Sequence, residues 1–376
     1  MSARIVKLKS RAQWQAIGPL RVDLVGMSDA RFALGRCINA CLRGLFAELY
    51  ATARDDDYLM IDAGQFGTSE IRLPDIYSLE VLPESPMFCR ALQLYPEFRL
   101  ATGLNITINC QYGSGGLSTS SSVSAAINAF LRYIFQVPYD AMDMVRRVVE
   151  SEPFQYGLQD QLAVVLGGIN MWETEPVGWD FDKMTALDFN RAGIRQYPIA
   201  LGDGMDTALA ESLIIYESGI ISGAKEILHE VSRSFESDPI IGQTKFDKLR
   251  DLASDLYEVL SKHCNHSSDL ADRLGPLFNE IRAAHESLHP SVSNERLTDL
   301  FDAALSAGAT GARYTGAGGR GCILVACPSH KRARIEAALN DVDTPSPDDP
   351  DNPLRGRIQR FSGFDPLGAH CWPSSF

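Results

Sequence analysis

The stretch QYGSGGLSTSSSVSAAINAF (111–130) constrains the chain more than any other. Glycine and serine crowd together and then give way at once to apolar residues at helical spacing. Glycines at 113, 115 and 116 permit positive φ and close backbone approach. Ser118, Thr119 and Ser120 fall where a starting helix leaves unpaired N–H groups. Two readings stand at this point. The segment is a linker ending in a plain N-cap, or it is a loop whose oriented amides and helix dipole hold an anion. It is not a Walker A loop, because the lysine of GxxxxGK[ST] is missing.

The rest of the composition narrows the setting. The chain has 376 residues, comfortable for two domains at ~150 residues each. Hydrophobic residues at 45% and charged residues at 22% describe an ordinary folded protein with a sizeable core. A net charge of -13 argues against nucleic acid or an anionic membrane as partner, while leaving room for a nucleotide. MSARIVKLKSRAQW lacks the apolar run of a signal peptide, and no later run approaches the ~18 apolar residues of a membrane span, so a cytoplasmic location is expected. The eight cysteines form no CxxC pair and read as buried thiols. His263, Cys264 and His266 lack a second ligand cluster and read as a loop.

Along the chain, strands are expected at 21–27, in runs between 35 and 63 split by a charged turn at 54–57, and at 104–112. Helices are expected after the serine loop, over 139–152 behind Pro138, and from 158 to a stop at Gly167 and Gly168. In the second half a strand at 213–219 precedes helical patterns near 223–234, 243–263, 267–288 and 294–307. RYTGAGGRGCILVAC (313–327) supplies a second glycine loop feeding a strand, with a helix at 330–341 and an acidic surface connector at 341–353. The boundary between halves falls near 175–195. GLQDQLAVVLGG (157–168) places Asp160 in a first helical turn, as a dipole-compensating carboxylate or as a reactive one.

The order of these segments resembles the GHMP kinase superfamily: a strand beginning PLRV, the GGLSTSSS loop, the QDQ helix and the YTGAGGRGC loop. Motif two looks like the galactokinase form. The QDQ segment, LIIYESGIISGAKEIL and the stretch around TGARYTGAGG look like the L-fucokinases and heptose-7-phosphate kinases. The resemblance implies an α+β fold of two domains, 1–190 and 191–376. The first would be an S5-domain-2-like α/β domain holding nucleotide and substrate, and the second a ferredoxin-like α/β domain with added helices. It also implies ATP and Mg²⁺ as cofactors and in-line transfer of a γ-phosphoryl group to a hydroxyl, anomeric by analogy with the sugar 1-kinases.

The roles implied for this chain follow residue by residue. Asp160 would take the proton from the attacking hydroxyl, with Arg21 as its cation. Gly113, Gly115, Gly116, Leu117, Ser118, Thr119, Ser120 and Ser121 would hold the phosphates. Ser120 and Glu150 would bind magnesium through hard oxygens, with Glu152 competing for the acidic place. Gly316, Gly318 and Gly319 of motif three would lie toward the substrate.

Motif one departs from the family. Where sugar kinases continue with GEHTDY or GGGTD, this chain has VGMSDARFALGR, in which Asp29 alone survives. Arg31, Arg36 and Arg320 are additions that read either as surface salt bridges or as a clamp for an acidic group on the acceptor. Ser222 stands where related kinases often carry an arginine. The acceptor expected is a small molecule, a sugar, sugar phosphate or cyclitol, taken up by a chain that dimerises by analogy. The alternatives are a binding protein with little turnover and an ATP-dependent decarboxylase of the mevalonate branch.

Overall fold

The computed structural model describes residues 3–26, 35–64, 67–78, 86–110, 115–152, 157–175, 193–220, 224–262, 270–319, 321–342 and 356–374. Strands β1 (Arg4–Val6), β2 (Gln13–Val25), β3 (Gly35–Ala53), β4 (Tyr58–Asp62) and β5 (Thr68–Arg72) open the chain. β2 starts well before the expected Arg21, since Trp14 and Ala16 already alternate with less buried neighbours. The charged turn at 54–57 does separate β3 from β4. Short α1 (Leu73–Ile76) and α2 (Met87–Gln93) lead to β6 (Phe98–Leu100) and β7 (Leu104–Asn109), whose strict buried–exposed alternation matches its sequence pattern.

Three helices follow: α3 (Thr119–Phe135), α4 (Ala141–Ser151) and α5 (Gln159–Leu166). Asp140 caps α4 by accepting from the Asp143 amide. β8 (Ile169–Thr174) and β9 (Arg195–Pro198) complete a sheet of eight strands. In the second half come α6 (Met205–Glu211), β10 (Leu213–Glu217), α7 (Ala224–Ser237), α8 (Pro239–Lys262), α9 (Leu270–Glu286) and α10 (Glu295–Ser306). Pro239, pre-set for a helix's first turn, starts α8 earlier than apolar periodicity suggests. The chain finishes with β11 (Gly311–Tyr314), β12 (Cys322–Ala326), α11 (Arg332–Asn340), β13 (Arg357–Gln359) and β14 (His370–Pro373).

The large sheet runs β14-β2-β3-β7-β4-β5, with β8 on the first part of β3 and β9 on β8. The smaller sheet runs β11-β12-β10-β13. β9 and β14 follow residue 190 in sequence yet join the large sheet, so the C-terminal segment crosses from the smaller sheet to the larger one. Trp14, Phe88, Tyr95, Phe130 and Phe135 pack α2 and α3 on one part of the large sheet. Leu20, Val22 and Leu24 of β2 belong to the same apolar cluster as Ile214, Tyr314 and Leu324 of the smaller sheet. The two sheets thus share an interior. Among the described residues no helix is long and apolar enough to cross a membrane.

Candidate active site

A strand's period of two puts Arg21 and Asp23 on the same face of β2. Both are buried. Arg21 Nε donates to Asp160 Oδ1 at 3.0 Å, its Nη2 contacts the same oxygen, and its Nη1 lies 3.3 Å from Asp23 Oδ1. Burial alone would lower the guanidinium's pKa, but the charges of Asp160 and then Asp23 leave it raised. Asp160, on the first turn of α5, is 30% exposed. Both Arg21 contacts fall on Oδ1.

The two glycine loops, far apart in sequence, interlock beside this pair. Thr315 Oγ1 donates to the Gly116 carbonyl at 2.6 Å, and the Leu117 carbonyl accepts from the Arg21 amide at 3.2 Å. Gly116 has φ +101°, and a Cβ there would come 2.6 Å from Thr315 Oγ1. A Cβ on Gly321 would lie 2.0 Å from the Gly115 carbonyl oxygen. Glycine at these points lets backbone meet backbone. Gly316 donates its amide to Asp23 Oδ1 at 2.8 Å. Gly318 and Gly319 have a different duty: they pack on Val292 and Ile227, and Gly319 exchanges backbone and side-chain bonds with Val292 and Asn294.

Ser118, the residue just before α3, adopts the left-handed conformation with φ 58° and caps no amide with its side chain. The helix's first N–H groups therefore have no side-chain cap from Ser118. Ser118 is buried and its Oγ has no hydrogen-bond partner among the described residues, Leu117 is a core residue, and Ser120 is exposed. Ser120 Oγ lies 3.4 Å from Glu152 Oε2, and Gln161 Nε2 donates to Glu152 Oε1 at 3.0 Å. Burial pushes the Glu152 carboxyl up to about 7, opposed by Ser121, Gln161 and Ser120, while the nearby Asp160 charge adds to the rise. Arg90 fixes this helix end by donating to the carbonyls of Ser151 at 3.0 Å and Glu152 at 2.5 Å.

Glu150 is not brought to Ser120. Its carboxylate pairs with Arg146 at 2.8 Å on the partly exposed face of α4, one turn back along the helix. Of the two acids weighed from sequence, the structure sets Glu152 beside the serine loop, because the backbone turns extended there with ψ 143°. Ser120 Oγ and the buried Glu152 carboxylate present hard oxygens at this point, and that chemistry fits a hard divalent cation that takes further ligands from phosphate and water.

Arg36 is engaged on β3. It pairs with Glu173 at 2.6 Å and donates to Ser254 of α8 at 2.5 Å, while Arg195 and Tyr197 also reach Glu173 at 3.1 Å each. Gly113, Asp29, Arg31, Arg320 and Ser222 lie outside the described residues, as do His263, Cys264 and His266. Sequence reasoning passed over Asp23 and Arg313. The signal was present as R-x-D on one strand and R-Y-T-G before the second loop.

With this geometry in place, similarity to known proteins is informative. The GHMP kinases N terminal domain model matches residues 87–168, and the GHMP kinases C terminal model matches 260–343. Mevalonate kinase of Pyrococcus horikoshii is 28% identical over 120 residues, which is 32% of this chain and 35% of that protein. The bifunctional fucokinase/GDP-fucose pyrophosphorylase of Arabidopsis thaliana is 25% identical over 240 residues, 62% of this chain and 21% of that protein. The chain therefore spans about a third or less of the length of these relatives. The crystal structure of a D-glycero-D-manno-heptose 1-phosphate kinase from Bacteroides thetaiotaomicron superposes with a TM-score of 0.68 at 18% identity, covering 96% of this chain and 100% of that one, a likeness of fold. The chain thus carries matches to the N-terminal and C-terminal GHMP kinase domains in that order, within a fold shared over nearly its whole length with this sugar kinase.

Proposed function

We propose that the protein is an ATP- and magnesium-dependent kinase that transfers the γ-phosphoryl group to a hydroxyl of a sugar or sugar phosphate. The observation that carries this reading is the Arg21–Asp160 pair set beside the start of α3 and the interlocked glycine loops. The guanidinium holds one oxygen of this partly exposed carboxylate, which would accept a proton from an incoming hydroxyl. Arg21 also supplies positive charge where the attacking oxygen becomes negative. The amides of residues 119–121 would bind the phosphates, with Ser120 Oγ and Glu152 holding the magnesium that offsets triphosphate charge. Positioning and charge then carry the reaction, and no covalent enzyme intermediate is required.

A sugar is favoured over mevalonate as acceptor by extent of likeness. The plant fucokinase matches 62% of this chain, against 32% for the archaeal mevalonate kinase. The departure of motif one at VGMSDARFALGR points to an acceptor unlike galactose in its hydroxyl pattern. The test is ADP release with Mg·ATP over hexoses, heptose and octose phosphates, cyclitols and mevalonate, with ³¹P NMR of any product. Turnover confined to sugars or their phosphates supports the proposal. Turnover with mevalonate alone, or nucleotide binding with none of the acceptors turned over, refutes it.

A further inference from the structure

Asp23 is fully buried, and its oxygens meet two guanidiniums and a backbone amide. Its Oδ1 faces Arg21 Nη1 at 3.3 Å and accepts from the Gly316 amide at 2.8 Å. Its Oδ2 faces Arg313 Nη2 at 3.5 Å, and its main-chain carbonyl accepts from Arg313 Nη1 at 3.1 Å. Arg313 is also buried. A Cβ on Gly26 would lie 2.0 Å from Asp23 Oδ2, so the carboxylate takes the space that a side chain at position 26 would need. Two buried guanidiniums thus meet two carboxylates, Asp23 and Asp160, and the set is neutral as a whole.

The site's geometry depends on this balance in two directions. Arg21 touches both acids, so its orientation toward Asp160 is fixed from behind by Asp23. Gly316 follows Thr315, whose hydroxyl holds the Gly116 carbonyl, so the same carboxylate also seats the second glycine loop against the first.

We propose that Asp23 is a positioning residue, a buried carboxylate that sets Arg21 toward Asp160 and locks the C-terminal glycine loop onto the serine loop. This rests on the kinase reading only for its turnover readout. Asp23→Asn keeps the shape and removes the charge, and should lower kcat on the order of 10²-fold, the effect of misplacing a reacting group by about 1 Å, with acceptor KM changed less than about twofold. It also leaves Arg313 buried and uncompensated, so a fall in Tm accompanies it. Asp23→Asn with Arg313→Met restores neutrality. Its Tm should return toward the parent value while kcat stays low, since Arg21 still lacks its second acid.

Exchange of the Arg21 Nε–H, followed by NMR in selectively labelled protein, reports the Arg21–Asp160 bond without any turnover. It should quicken in both variants. Recovery of kcat together with Tm in the double variant, or an unchanged Nε–H exchange rate, would overturn the proposal by making Asp23 a fold residue alone. If the parent protein turns over no acceptor yet Nε–H exchange quickens as stated, the kinase reading fails and the positioning role stands.

Discussion

Arg21 and Asp160 lie 139 residues apart in sequence and meet with Nε 3.0 Å from Oδ1, one from a central strand and the other from a helix's first turn. The strand cannot turn and the helix is closed behind by Gly167, so the pair is held by regular elements and not by loops. Arg21→Lys should therefore be costly. A single ammonium cannot keep both acids at once in a fork geometry, and kcat should fall on the order of 10²-fold with ATP affinity nearly intact. Steady-state kinetics with the best acceptor checks this, and a variant retaining parental kcat would show that the fork is dispensable.

The acid beside Ser120 makes a second distinction. Glu152→Gln should raise the Mg²⁺ concentration for half-maximal rate by roughly 10-fold or more, as loss of a ligand or its close support does, while Glu150→Gln should change it less than about twofold. Because a carboxyl near 7 must lose its proton to ligate, apparent Mg²⁺ affinity should weaken by about 10-fold per pH unit below about 7 in the parent and not in Glu152→Gln. Magnesium titrations at several pH values decide between the two acids.

Stability follows the same group with a definite sign. Folded Glu152 keeps its proton up to about 7, against 4.5 for an ordinary glutamic acid, so between those values the folded state binds more protons than the unfolded one. Its contribution to stability then falls as pH rises, by at most ~1.4 kcal/mol per unit. Buried His285, pushed down to about 3, gives the opposite slope between about 3 and 6.5, and it is common to parent and variant. Denaturant unfolding of the parent minus Glu152→Gln should show the gap declining from pH 4.5 to 7 and level above it. A gap independent of pH would remove Glu152 as the titrating group.

Much of this was legible in the sequence because it is carried by local strings. GGLSTSSS before a helical period, QDQ in a first turn and TGAGGRGC before a strand are each complete within a few residues. Which acid lies beside Ser120 was harder to foresee, because Glu152 sits where α4 ends and the backbone becomes extended, so helical spacing from Glu150 no longer says where a side chain points. β9 and β14, four residues each, offer no period at all and are strands only because β8 and β2 pair with them. The interlock of Gly116 with Thr315 spans 199 residues and leaves no trace beyond the glycines themselves.

Arg36 tests the reading of the altered motif one. With Glu173 and Ser254 as its partners, Arg36→Met should cost about 1 kcal/mol of stability, in the range for a half-buried pair, and leave acceptor KM within about twofold. A large rise in KM with phosphorylated acceptors only would instead make it a clamp for the substrate's phosphate. Thermal unfolding and KM measured on the same preparation separate the two.

The most direct test of the account compares the parent with Asp160→Asn in Mg·ATP-dependent phosphorylation across the acceptor panel, read as product phosphate by ³¹P NMR. The account predicts transfer to a sugar or sugar-phosphate hydroxyl by the parent and a loss of roughly 10²- to 10⁴-fold in kcat for the variant, with nucleotide binding retained. Parental turnover by Asp160→Asn would contradict it.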